Sequence, residues 1–409
     1  MMNRRSVLRM GLGLGSLSLS SLALTGCQAT GAKVPRVIGL KKSVPPQLVN
    51  QFRKQVNDAE ASQLDYSQSS QLAEIFQQLQ TWQQAAQDKL PPDNSWLPKF
   101  KLPWNPPANT IDNVADLVTQ GDYWLAIAIK QGLIEPLDAT AWSHWENVDP
   151  IWQRLAQRNS QGQIRPDGKI WAAPYRWGAT VIAYRKDLLA EQNIPPPTDW
   201  GDLFDARLQG RLSLPDSPQA VIGLALKYLG QSYRDAKTNQ PTDLDQIKTL
   251  EPTLQQLQQQ AKFYSSDTYL QPLILGHTWM AVGASSELLE QLRTRSDLAV
   301  VVPQSGTTLW ADMWVRPKRG KIRSDRQYND WINAFWEPEF AAKLALLSRG
   351  GTPVKGLEIA ASATAKQQNP LLNLPADVWA KCEPLAQLDP ASAAQYGNLW
   401  QKIRQSVPA

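Results

Sequence analysis

Few residues in this 409-residue chain have the types and spacing that chemistry requires. Trp310 and Asp312 stand at i and i+2. On a strand both side chains point to one face, so a single strand can offer an aromatic face and a carboxylate together. Such a pair suits an organic cation: the carboxylate pairs an ammonium, and the ring covers methylenes and adds cation–π attraction of about 0.5–2 kcal/mol. On the spacing alone a core tryptophan beside a surface aspartate is the better reading. Nucleophilic and metal chemistry have no comparable foothold. The two histidines, His144 and His277, are far apart in sequence, and no HExxH, CxxC, GxSxG, GxGxxG or phosphate-cradling loop occurs. Gly11, Gly13 and Gly15 lie in the leader and carry no meaning for nucleotides. The chain reads as a binding protein rather than an enzyme, with no cofactor and no metal expected.

The elements that must position these side chains follow from periodicity. Val37–Leu40 is an apolar run that reads as a first strand, and Leu48, Val49, Phe52 and Val56 recur at helical spacing over 47–56. A second, Gln-rich helix is expected over 71–87, with Leu72, Ile75, Phe76, Leu79 and Trp82 on one stripe. Residues 90–110 are rich in Pro, Trp and Asn without periodicity and read as a loop or insertion. Strands are expected at 115–118, 169–175, 179–184, 298–302 and 309–315, and helices at 123–131, 220–229, 244–263 and 327–347, with an α-rich segment over 361–409. Strands alternating with helices of this length indicate an α/β sheet.

The N-terminus reads as an address. Met1–Arg9 is positively charged, and Met10–Leu24 is an apolar run of 15 residues, too short to span a bilayer. Leu24-Thr25-Gly26-Cys27 resembles the bacterial lipobox, which implies cleavage before Cys27 and lipid on that residue. The alternative is an ordinary secretory signal with a chance cysteine. Asn3 to Arg9 also resembles a twin-arginine export motif, departing from it at Asn3 and Val7. Without residues 1–26 the excess of basic over acidic residues falls from +5 to +2, so the basic balance owes much to the leader and a nucleic-acid role loses its support. With Cys27 lipidated, Cys382 has no disulfide partner and is expected to be an inert buried thiol.

Several strings, in order, resemble the bacterial spermidine/putrescine-binding proteins of ABC importers, within the type II periplasmic binding proteins. They are Ile170–Tyr184 (IWAAPYRWGATVIAY), Asp199–Asp205 with Gln209–Leu212, Asp216–Gly230, and Val302–Gly306 leading into Leu309–Asp312. The resemblance implies an α/β fold of two lobes with a hinge and an interlobe ligand cleft. The lobes would be 35–178 with 309–355, and 179–308 with 356–409, behind a signal peptide at 1–26 and a tether at 27–34. It implies a monomer in the periplasm or cell envelope, held to a membrane by its lipid alone, that delivers a small polar solute to permease subunits. The leading solute is a polyamine; an amino-acid-like amine is the alternative, and an enzyme or structural lipoprotein on this scaffold the next.

By the same resemblance Trp310 and Asp312 match the family's ligand-binding ring and carboxylate, and Tyr123 falls where the family places a stacking tyrosine. Tyr123 also fits a first-turn helix residue packed on a sheet. The departures are as informative. Two further acids of the polyamine binders fall on Ser217 and Ala220, and aromatic positions of the cleft fall near Leu40, Ala284 and Gly351. Glu287 or Asp122 could restore charge from new positions. Arg176 and the pair Lys41–Lys42 point instead toward a ligand bearing a carboxylate, unless they are solvated surface charge.

Overall fold

The computed structural model describes residues 34–55, 64–85, 114–238, 240–265, 268–318 and 325–405. The leader, Cys27 and most of the 90–110 segment's neighbourhood lie outside the described residues, as does that segment itself. The strands are β1 (Arg36–Leu40), β2 (Asp65–Ser69), β3 (Leu117–Gly121), β4 (Ile134–Glu135), β5 (Gln157–Arg158), β6 (Lys169–Ile170), β7 (Ala173–Arg185), β8 (Leu212–Leu214), β9 (Ala261–Tyr264), β10 (Met280–Ala284), β11 (Leu298–Val301), β12 (Thr308–Pro317) and β13 (Glu383–Pro384). Among the described residues eleven of them form one sheet whose main path runs β2-β1-β3-β12-β7-β10-β8-β9. At one end β2, β1 and β3 are parallel, and at the other β10, β8 and β9 are parallel. The long strands β7 and β12 run antiparallel to each other and join the two ends.

This layout divides the apolar residues between two cores. Neighbouring residues of β7 and β10 turn to opposite faces: Val181, Ala183 and Ala281 join one core, and Ile182, Met280 and Val282 the other. Trp152, Trp314, Trp331 and Trp336 are fully buried in the first and Trp200 in the second, so much of the chain's high tryptophan count goes into packing.

Three expectations are corrected. The helix foreseen over 327–347 is two, Asp325–Ala334 and Pro338–Ser348, because Pro338 lacks the N–H that would continue the first and is well suited to open the second. The helix foreseen over 244–263 shrinks to Leu250–Gln260; Ala261–Tyr264 becomes β9, since pairing with β8 outweighs the helical pattern. The strands foreseen at 169–175 and 179–184 are largely one, β7, which runs straight through Gly178. Smaller shifts affect β3, which begins two residues after the expected start at Ala115. Cys382 is buried, its thiol donates to the Val378 carbonyl at 3.3 Å, and burial pushes its pKa up.

Candidate functional site

The register of β7 against β12 assembles the centre of the candidate site. Arg176 lies directly opposite Asp312, and Gly178 directly opposite Trp310. All four residues share one face, because each pair is spaced by two on its strand. Arg176 donates from Nε and Nη2 to Asp312 Oδ2 at 2.8 and 2.5 Å, and from Nη1 to the Ser348 carbonyl at 3.3 Å. The pair is almost wholly buried, at 4% and 2% side-chain exposure, so the carboxylate of Asp312 is already matched by a cation of this chain. Burial raises the pKa of Asp312, and the guanidinium opposes that rise. The Arg176 guanidinium also sits 5.5 Å from the centroid of the Trp310 ring. Trp310 lies where a side chain at Gly178 would be: a methyl there would overlap the ring and the Ser285 hydroxyl.

Of these four residues Arg176 alone lines a cavity of about 640 Å³; Trp310 and Asp312 do not. Its walls come from the turn after β1, from Arg176, from the helix Ser285–Gln291 and from the turn after helix Pro338–Ser348. Glu287 lines it and accepts a hydrogen bond from the Tyr269 hydroxyl at 2.6 Å. The same hydroxyl accepts from the Ala284 N–H at 3.2 Å, which holds the tyrosine against β10. Burial and the neighbouring carboxylate both push the Tyr269 pKa up, so the phenol stays a proton donor to Glu287. A larger hollow, about 840 Å³, lies between the Leu244–Glu251 stretch and the C-terminal helix Pro390–Gln405, and no candidate residue lines it.

The other sequence candidates are more scattered. Tyr123 is in the first turn of helix Asp122–Lys130 and is 65% exposed, edge-on to Trp124. Its neighbour Asp122 accepts from the Ala311 N–H at 2.9 Å, which ties that helix to β12. Burial pushes the Asp122 pKa up to about 6 against that hydrogen bond and the charge of Arg158. Ser217 is the N-cap of helix Pro218–Tyr228, accepting from the Ala220 N–H at 3.4 Å, and does not line the cavity. At Gly351 a methyl would overlap the Trp177 indole, so Trp177 fills the space where the resemblance expected a ring from the hinge. Cys27 lies outside the described residues.

Sequence reasoning missed Tyr269, Glu290 and Arg349. Nothing in their spacing marks them, because they converge from separate elements. Among the described residues no group of three or more His, Cys, Asp or Glu side chains could hold a metal ion, and no helix is long and apolar enough to cross a membrane.

Comparison with known proteins places this geometry in context. A family model described as bacterial extracellular solute-binding protein matches residues 112–382. The chain is similar to the putrescine-binding periplasmic protein PotF of Escherichia coli, at 25% identity over 310 residues, spanning 71% of this chain and 78% of that one. It is also similar to a putrescine/cadaverine-binding protein of Pseudomonas aeruginosa, at 28% identity over 251 residues, spanning 58% and 67%. Among solved structures it resembles the spermidine/putrescine ABC transporter substrate-binding protein PotD of Streptococcus pneumoniae, with a TM-score of 0.70 at 19% identity over 91% of this chain and 98% of that one. The cyclic alpha-maltosyl-1,6-maltose binding protein of Arthrobacter globiformis has a TM-score of 0.62 at 15% identity, over 92% and 95%. At these identities the structural likeness establishes the fold, which is the two-lobed α/β fold of periplasmic binding proteins.

Proposed function

Because this chain belongs to the bacterial extracellular solute-binding proteins, we propose that it captures a small organic amine in the cell envelope and delivers it to the permease of an ABC importer. The relatives are named for putrescine, cadaverine and spermidine, which makes polyamines the first cargo class. The observation that carries the reading is Glu287, a carboxylate fixed by Tyr269 on the wall of a cavity of about 640 Å³. That volume lies within the range of small-molecule sites, and a fixed carboxylate is what an ammonium requires. A second reading is an amino-acid-like amine that also bears a carboxylate. It has an observation of its own, since Asp312 is spent on Arg176 and not left for a ligand cation.

On this reading the protein binds and releases without turnover, as a monomer. Residues 35–178 with 309–355 form one lobe and 179–308 with 356–409 the other, and the solute cavity, which Trp310 and Tyr123 do not line, takes walls from both ranges. The leader at 1–26 directs export, and lipid on Cys27 holds the protein to a membrane through several buried acyl chains, each CH₂ contributing about 0.8 kcal/mol.

A thermal-shift screen of the full chain tests the cargo assignment. A solute at 100 times its dissociation constant adds about 2.7 kcal/mol to stability. Putrescine, cadaverine, spermidine or a basic amino acid should raise the melting temperature. A chain that melts cooperatively at one temperature with all of them is not an amine receptor.

A further inference from the structure

We propose that the cavity contains an anion subsite formed by Lys41, Lys42 and Arg349, alongside the ammonium-accepting Glu287, and that the amine cargo therefore also carries an acidic group. The inference rests on the cavity being the solute site and goes further by naming the cargo's chemistry.

The first observation is charge. Five basic side chains line the cavity, Lys41, Lys42, Arg176, Arg293 and Arg349, against two acidic ones, Glu287 and Glu290. Arg176 is neutralised from behind by Asp312. Glu290 alone then faces Lys42 at 3.4 Å, Arg293 at 3.4 Å and Arg349 at 3.8 Å. One carboxylate does not balance three cations, and Lys41 adds a fourth. A bare di- or triamine entering this space meets like charge along most of its length, with only Glu287 to receive it. A cargo with an ammonium at one end and a carboxylate at the other satisfies both sides.

The second observation is backbone conformation. Lys42 and Arg349 hold φ at 67° and 54°, in the left-handed region. Among the described residues only Asn193 joins them as a non-glycine with positive φ, and asparagine tolerates that region where long side chains do so at a cost. Both strained residues are basic, both line the same cavity and both address Glu290. Glycine would relieve either position, so the side chains are what the positions serve.

The third observation is rigidity. The turn that presents Lys41 and Lys42 closes with the Ser43 N–H and hydroxyl both donating to the Leu40 carbonyl, at 3.0 and 2.7 Å. Buried Ser43 in turn accepts from the Tyr175 hydroxyl at 2.8 Å, and Tyr175 stacks on Trp314 at 4.4 Å. On the other side Arg349 donates to the Leu289 carbonyl at 2.8 Å. The backbone turn that carries Lys41 and Lys42 and the Arg349 side chain are therefore fixed before a ligand arrives, while the lysine ammonium groups reach out from the turn, Lys42 with 68% of its side chain exposed.

Calorimetry on the full chain with putrescine, spermidine, L-ornithine and L-lysine tests this, because ornithine is putrescine with a carboxylate added. Ornithine or lysine should bind at least tenfold more tightly than putrescine or spermidine. Lys42→Asn, which keeps a residue suited to the left-handed backbone, should weaken the amino acid at least tenfold and tighten putrescine, because it removes one of the like charges the diamine meets. Glu287→Gln should weaken both kinds of ligand alike. Putrescine or spermidine binding as tightly as ornithine and lysine, or a Lys42→Asn loss common to all four, overturns the anion subsite while the amine-importer reading stands. Failure of all four to bind the folded wild-type chain overturns that reading as well.

Discussion

Replacing Arg176 by methionine removes the cation opposite a carboxylate that is 2% exposed, while keeping most of the side-chain volume. Breaking a buried ion pair from one side costs about 3–5 kcal/mol, because the remaining charge keeps its desolvation penalty and loses its partner. That is a large share of a total stability of about 5–15 kcal/mol. Asp312 has a way to escape part of the penalty. Burial already raises its pKa with Arg176 present, and without the guanidinium the rise is larger. A carboxyl whose folded pKa is above its unfolded value binds a proton more tightly when folded, so its contribution to stability falls as pH rises past the unfolded pKa. Arg176→Met should therefore be least destabilised near pH 5 and progressively worse toward pH 8, with a slope of at most about 1.4 kcal/mol per pH unit while the group is titrating. Removing both charges, as Arg176→Met with Asp312→Leu, should recover most of the loss, giving a coupling energy of roughly 2–3 kcal/mol in a double-mutant cycle. Urea denaturation of the four proteins at pH 5, 6.5 and 8 supplies every term. Single substitutions that each cost under about 1 kcal/mol, or a double variant equal to the sum of the singles, would show that the pair carries no structural charge compensation.

Three further outcomes are open to direct measurement. Gly178→Ala puts a methyl into the space held by the Trp310 ring and should destabilise by about 1–3 kcal/mol while altering Trp310 fluorescence; an unchanged melting temperature and emission would mean the ring does not rest on Gly178. Asp122→Asn keeps the acceptor for the Ala311 N–H but removes a carboxyl with a folded pKa of about 6, so the variant's melting temperature should gain on the wild type as pH rises from about 4 to 7, and a constant difference across that range would contradict the raised pKa. Cys27→Ala should leave the leader uncleaved or release the chain from the membrane fraction on cell fractionation; acylated, membrane-bound protein in that variant would sink the lipobox reading.

What the sequence could disclose follows from the range over which its signals act. Apolar periodicity is local, and it located β1, β11, β12 and the helices at 46–55, 72–85, 122–130 and 218–228 to within a few residues. It did not locate β2, whose residues Asp65–Ser69 are polar and whose strand identity comes from pairing with β1 at the sheet edge. It did not locate β8 or β10 either: both are short and defined by their neighbours. The site divides in the same way. That Trp310 and Asp312 share a face follows from a spacing of two on one strand. That Arg176 stands opposite Asp312 depends on the register between strands more than a hundred residues apart, which no local pattern encodes. Read singly, Arg176 suggested a ligand carboxylate and Asp312 a ligand ammonium; read together they are partners, and each satisfies the need the other raised. The charge that does face the cavity then lies on residues with weaker sequence signals. Lys41 and Lys42 resemble ordinary surface lysines until their turn is seen to be anchored by Ser43 and Tyr175, and Arg349 is an unremarkable helix-end residue until its left-handed backbone brings it to Glu290. The family's fold is thus carried by patterns repeated along the chain, whereas the role of each charge at the cavity depends on which other charges the fold brings to it.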